Sequence, residues 1–195
     1  MKVLDLTQIL YEEMDIYPGD PKFRVEKWSN IDKDGYSVHQ ITFGSHTGTH
    51  IDAQSHMIIN GKTVDKIKPE ELVGTVVVLK FDTNQVTKKD IENYDIPKDS
   101  VVLITTKKNG YLKKETAEYL VSKKIKLIGF HKNCIVDKEV SNEFACHKIF
   151  LKNNIPIVTG IINTDKVGDG DLIIVAPLNI KHMDGSPCRV FAIKV

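Results

Sequence analysis

Three short apolar runs, TVVVLKF (75–81), SVVLITT (100–106) and KLIGF (126–130), most constrain what this chain can fold into. They are rich in β-branched residues and show little apolar/polar alternation, so each reads as a strand covered on both faces. Helical segments lie between and after them. TKKDIENY opens at Thr87, a residue suited to an N-cap, and KKETAEYLVSKK (113–124) is amphipathic. SNEFACHKIFLKNN (141–154) starts on a Ser/Asn pair. Strands alternating with helices imply a parallel α/β core.

The two ends are strand-rich. LDLT, FRVEKW (23–28) and YSVHQITFG (36–44) read as strands, with a DG pair at 34–35 as a turn between the last two. KPEELVG reads as a short helix with Pro69 near its start, and IPIVTGIIN, DLIIVAPLNI and CRVFAIKV finish the chain as strands. There is no internal repeat, low-complexity tract or long linker. The expectation is one compact domain over residues 1–195, of α/β class, with a mixed sheet, helices and extra terminal strands.

A formal net charge of +1 over 195 residues gives no reason to expect nucleic acid or an anionic membrane as a partner. The opening MKVLDLTQILYEEMDIYPGD is broken by Asp5, Glu12, Glu13 and Asp15, unlike a secretory signal. No run approaches the roughly 18 to 20 apolar residues that span a bilayer. Cys134, Cys146 and Cys188 are odd in number and form no CxxC pair. Reduced thiols in a cytoplasmic protein are the simplest account.

The densest chemistry lies in HTGTHIDAQSH (46–56). His46, His50 and Asp52 offer two imidazoles and a carboxylate, a set that suits zinc, manganese or iron(II) and leaves coordination positions open. Gly48 permits a tight backbone path. Thr49 and Ser55 could hydrogen-bond the ligands, and His56 could act beside the ion as a proton carrier. The alternative is a set of unrelated histidines near a turn.

HTGTHIDAQSH resembles the HxGTHxDAPxH signature of the putative cyclase family of metal-dependent hydrolases, which includes bacterial kynurenine formamidases and isatin hydrolases. LDLTQ, YPGDP, a histidine near 147 and the ending PLNIKHMDGSPCRV follow in the family's order. The resemblance implies a swivelling β/β/α (cyclase-like) fold and a homodimer or homotetramer. It implies that His46, His50 and Asp52 bind a divalent metal, Zn2+ or Mn2+, and that His56 is the catalytic acid/base. It also implies that His147, by itself as readable as a core histidine, serves a second metal.

The chain departs from the family at Thr159, where a glutamate ligand is expected, so one tight ion is expected and a second is doubtful. Gln54 replaces the signature proline and is a candidate substrate contact. Tyr17 and Trp28 could line an aromatic pocket, or pack on an edge strand. DKVGDGD (165–171) misses calcium-loop spacing and reads as a turn. Cys146 beside His147 does not suggest a nucleophile, because neighbours on a helix point about 100° apart.

The implied activity is hydrolysis of an amide, formamide or lactam in a small molecule, aromatic ones included. Three rivals are cyclisation or dehydration at the same site, a metal-dependent binding protein without turnover because of Thr159, and a purely structural metal.

Overall fold

The computed structural model describes residues 1–106, 110–138 and 143–195. The strands are β1 (Lys2–Asp5), β2 (Arg24–Ser29), β3 (Val38–Thr42), β4 (His50–Asp52), β5 (Val73–Phe81), β6 (Gln85–Val86), β7 (Val101–Thr106), β8 (Gly110–Leu112), β9 (Leu127–His131), β10 (Cys134–Ile135), β11 (Ile157–Ile161), β12 (Leu172–Pro177) and β13 (Gly185–Lys194). The α-helices are α1 (Ile31–Asp34), α2 (Lys88–Ile91), α3 (Lys114–Ser122) and α4 (Ala145–Lys152).

The three apolar runs form β5, β7 and β9, which pair in parallel, and β11 continues the parallel set. Among the described residues they belong to an eight-stranded sheet of order β1-β13-β12-β5-β7-β9-β11-β4. A further antiparallel pairing of β13 with β4 closes that sheet into a barrel, with β1 added on β13. The strand-rich ends therefore do not build a separate layer: they complete the barrel that the parallel strands begin.

Alternation along the central strands sends their side chains into two cores. Val77, Leu79, Val102, Ile104, Ile128 and Phe130 meet the helices through Ile91, Ala117, Leu120, Phe150 and Leu151. Val76, Val78, Val101, Leu103 and Leu127 point instead into the barrel, against Ile51, Val158, Ile173 and Val190. Burying a side chain of this size stabilises by about 1.5–3 kcal/mol. Filling both faces is why these strands lack a polar alternation.

Several elements differ in detail from expectation. The DG pair does not form a simple turn: Asn30 caps α1, and Gly35 ends it in the left-handed region at φ 75°. KPEELVG becomes a 3₁₀ turn over Pro69–Glu71. The last strand starts at Gly185 rather than Cys188, because Gly185–Pro187 pair with β4. The helix near His147 runs over Ala145–Lys152, while Ser141 and Asn142 lie outside the described residues. DKVGDGD is a turn, as expected. Asp169 accepts from the Val78 N–H, and Asp171 accepts from Gly168 N–H and Lys194.

The β2–β3 ribbon stands apart from the barrel, its strands paired with each other. No helix among the described residues is long and apolar enough to cross a membrane.

Candidate metal centre

β4 places two of the three candidate ligands, His50 and Asp52. It lies between β11 and β13, with His50 opposite Thr159 and Pro187, and Asp52 opposite Ile157 and Gly185. Alternation puts His50 and Asp52 on one face and sends Ile51, fully buried, into the barrel core. Upstream, Gly48 adopts φ 65°, and a Cβ there would collide with the Leu10 side chain. This left-handed residue turns the chain back so that His46 returns to the strand that follows it.

His46 Nδ1 lies 2.8 Å from Asp52 Oδ1, and His50 Nε2 lies 3.4 Å from the same oxygen. One ligand atom from each of these three residues falls within 4.8 Å of the others. His50 Nδ1 donates to the Gly48 carbonyl at 2.9 Å, which leaves Nε2 as the lone-pair nitrogen on the Asp52 side. The donor set thus fits a divalent ion: two imidazoles and one carboxylate converge, and the His50 tautomer is fixed by backbone.

The electrostatics agree with that fit. Burial alone would lower the His46 pKa, but hydrogen bonds and charge from Asp52 and then Asp184 outweigh it and raise it to about 9. Burial alone would raise Asp52, yet His46 and the neighbouring His50 and His147 hold its carboxyl well below the usual range. His50 and His56 are both lowered, chiefly by burial. With a carboxylate facing each of its ring nitrogens, His46 favours the protonated form in the metal-free protein.

The 3₁₀ turn Gln54–His56 follows β4 and swings His56 beside His46, their ring centroids 4.0 Å apart. His147 approaches from α4, with Nε2 3.8 Å from Asp52 Oδ2. Its Nδ1 is 2.6 Å from Asp137 Oδ2. Thr159 Oγ1 stands 3.0 Å from His50 Nε2. His46, His50, Asp52, His56, His147 and Thr159 all line one cleft of about 680 Å³, with Tyr11, Met14, Tyr17, Met57 and Phe144 among its apolar walls.

Gln54 and Trp28, expected at the substrate, are placed elsewhere. Gln54 Oε1 accepts from the Lys62 N–H beneath the turn, and Trp28 is 73% exposed on β2, outside the cleft lining. Thr49 and Ser55 do not touch the ligands. Thr49 Oγ1 donates to the Gly160 carbonyl, and Ser55 Oγ has no partner among the described residues.

Sequence reasoning missed two carboxylates. Asp184 Oδ2 lies 2.9 Å from His46 Nε2 and 3.3 Å from His56 Nδ1, and burial notwithstanding these histidines lower its pKa to about 2. Asp137 accepts from the Cys146 and His147 N–H groups as well as from the His147 ring. Neither acid has a distinguishing spacing. Asp184 lies within PLNIKHMDGSPCRV, the ending that carries part of the resemblance, yet nothing local there marks it as a partner of the histidines.

A closed mixed barrel carrying a His-His-Asp cluster, with two further histidines at the same cleft, fits the class of metal-dependent hydrolases. The Cyclase family, described as "Putative cyclase", matches residues 4–133, and the chain belongs to it. A kynurenine formamidase from Bacillus cereus is 31% identical over 199 residues, covering 95% of this chain and 94% of that protein. One from Bacillus thuringiensis subsp. konkukian is 32% identical with the same coverage. Among solved structures, isatin hydrolase A from Labrenzia aggregata superposes with a TM-score of 0.88 at 26% identity, covering 98% of this chain and 93% of that one. A protein described as a predicted metal-dependent hydrolase from Bacillus stearothermophilus gives a TM-score of 0.81 at 26% identity, with 98% and 97% covered.

Proposed function

We propose that this chain hydrolyses an amide, formamide or lactam C–N bond in a small, aromatic molecule. The reaction would use one divalent ion, Zn2+ or Mn2+, held by His46, His50 and Asp52. The observation that carries the reading is the convergence of this trio with His56 in a cleft that also holds aromatic and apolar side chains. Similarity to kynurenine formamidases and isatin hydrolase supports the bond type.

A divalent ion supplies Lewis acidity for the scissile carbonyl and acidifies the attacking water. His50 and Asp52 are fixed by strand pairing and His46 by its carboxylate contacts, so the donors need little reorganisation. His56 is kept neutral by burial, which lets it accept a proton from water and return it to the leaving nitrogen. Tyr17, Tyr11 and Phe144 line the same cleft and would give a planar substrate aromatic surface.

Thr159 supports one tight ion rather than two, because its hydroxyl faces His50 where a charged ligand would be needed to offset a second dication. His147 and the second Asp52 oxygen would form at best a weaker second position. A homodimer or homotetramer is part of this reading. Its support is the two-stranded β2–β3 ribbon, which exposes Val25, Trp28, Val38 and Ile41 and would be marginal alone. A cytoplasmic location is supported by three free cysteines.

Purified protein should carry, or on titration take up, about one equivalent of Zn2+ or Mn2+. It should then turn over members of a panel of aryl formamides and lactams with a gain of one water by mass. His56→Ala should lower turnover by about 10²–10⁴-fold while leaving metal content unchanged. Wild-type rates in that variant would remove His56 from its role. A product lacking the added water would favour cyclisation, and a ligand bound and recovered unchanged would favour a binding protein.

A further inference from the structure

Asp184 touches both imidazoles to which the proposed function gives different jobs. Its Oδ2 is 2.9 Å from His46 Nε2 and 3.3 Å from His56 Nδ1. The two rings lie 4.0 Å apart, tilted by 41°. Both histidines line the cleft and Asp184 does not; its side chain is 41% exposed beside them.

Its backbone is tied to the ligand-bearing strand. The Asp184 carbonyl accepts from the Ala53 N–H at 2.8 Å, and the next residue, Gly185, pairs with Asp52. A Cβ on Gly185 would come within 2.6 Å of His46 Cε1, so only glycine lets this segment approach the ring so closely. The position of the carboxylate is therefore set by the same seam that sets the metal ligands.

We infer that Asp184 is a positioning residue that sets the ring orientation and tautomer of both His46 and His56 through one carboxylate oxygen. An ionised carboxylate only accepts hydrogen bonds, so each nitrogen facing it must carry hydrogen. His46 Nδ1 faces Asp52 in the same way at 2.8 Å, so in the metal-free protein both ring nitrogens carry hydrogen; where an ion takes Nδ1, Asp184 keeps the remaining proton on Nε2. For His56 it places the proton on Nδ1 and leaves Nε2 as the lone-pair nitrogen. A free neutral imidazole side chain favours the opposite tautomer, with hydrogen on Nε2. Asp184 thus reverses the intrinsic preference at His56, while at His46 it locks a nitrogen pair that would otherwise interchange. Carboxylates placed behind metal-binding histidines commonly act on affinity in this manner.

The inference rests on the roles proposed for His46 and His56, but its test does not depend on finding the substrate. In 15N-histidine-labelled wild-type protein loaded with Zn2+, imidazole correlations should show His46 protonated at Nε2 and His56 protonated at Nδ1. Finding His56 protonated at Nε2 would overturn the inference, whatever happens to any variant. In Asp184→Asn, the Zn2+ affinity of metal-free protein should fall by about 10–100-fold, and the His56 Nδ1–H pattern should be lost. Asp184→Glu, which keeps the acceptor charge, should recover part of both. Unchanged Zn2+ affinity with unchanged imidazole signals in Asp184→Asn would also sink the idea. Once a turned-over substrate is known, Asp184→Asn at saturating Zn2+ should lower kcat with little change in KM. Failure of His56→Ala to lose turnover would instead count against the proposed function, and would leave the His46 half of this test standing.

Discussion

His46 is an imidazole held between two carboxylates, and that placement makes metal binding compete with a proton. In the metal-free protein its pKa is raised to about 9. Below that pH an incoming ion must displace the Nδ1 proton, while above it no proton is left to displace. The apparent Zn2+ affinity should therefore rise about tenfold per pH unit between pH 7 and 9 and flatten above. Calorimetric titration across that range checks this, and a flat profile would mean that His46 is not a ligand. Gly48, at φ 65° and hard against Leu10, predicts that Gly48→Ala costs about 1–3 kcal/mol in urea unfolding. At this scale much of the site was legible: the spacing of His46, His50 and Asp52 around a glycine carries its own chemistry. Asp184 was not legible, because an acid 132 positions from Asp52 has no local pattern that marks it as a partner.

At the scale of elements, α4 shows a helix start supplied from outside. Phe144 precedes it in a left-handed conformation and makes no side-chain cap. Asp137 instead accepts the first free N–H groups and the His147 ring together. Asp137→Ala should then cost about 2 kcal/mol, from a lost cap and a lost charge-assisted hydrogen bond. It should also free the His147 ring to rotate, visible as a change in its imidazole 15N signals. Unaltered stability would show that the cap is dispensable. The Ser/Asn start expected from sequence follows a sound local preference, whereas the cap that acts on the helix is tertiary. The same holds for the last strand, whose first residues look like a loop until β4 pairs with them.

At the scale of the whole molecule, the barrel brings the start of β13 against β4 at the candidate metal centre. β4 is only three residues long, yet it closes the sheet between β11 and β13. Ile51 at its centre is fully buried, so Ile51→Ala should cost about 2–5 kcal/mol and weaken Zn2+ binding together with global stability. Loss of stability alone would separate the seam from the site. The cysteines sit on β10, α4 and β13, all buried, and burial pushes Cys134 and Cys188 up to about 12 and Cys146 higher still. Native protein at pH 8 should therefore give no rapid reaction with Ellman's reagent, and unfolded protein should release three thiols. A fast native thiol would contradict the packing. The sequence by itself pointed to the parallel α/β core and brought forward the candidate ligand trio, because both draw on short segments: apolar periodicity along strands, and histidine spacing around a turn. Only the tertiary structure decided that the terminal strands close the barrel, that Gln54 and Trp28 lie away from the cleft, and that Asp184 meets His46 and His56. Those outcomes depend on pairing between residues far apart in the chain, where closure geometry rather than local propensity chooses the partner.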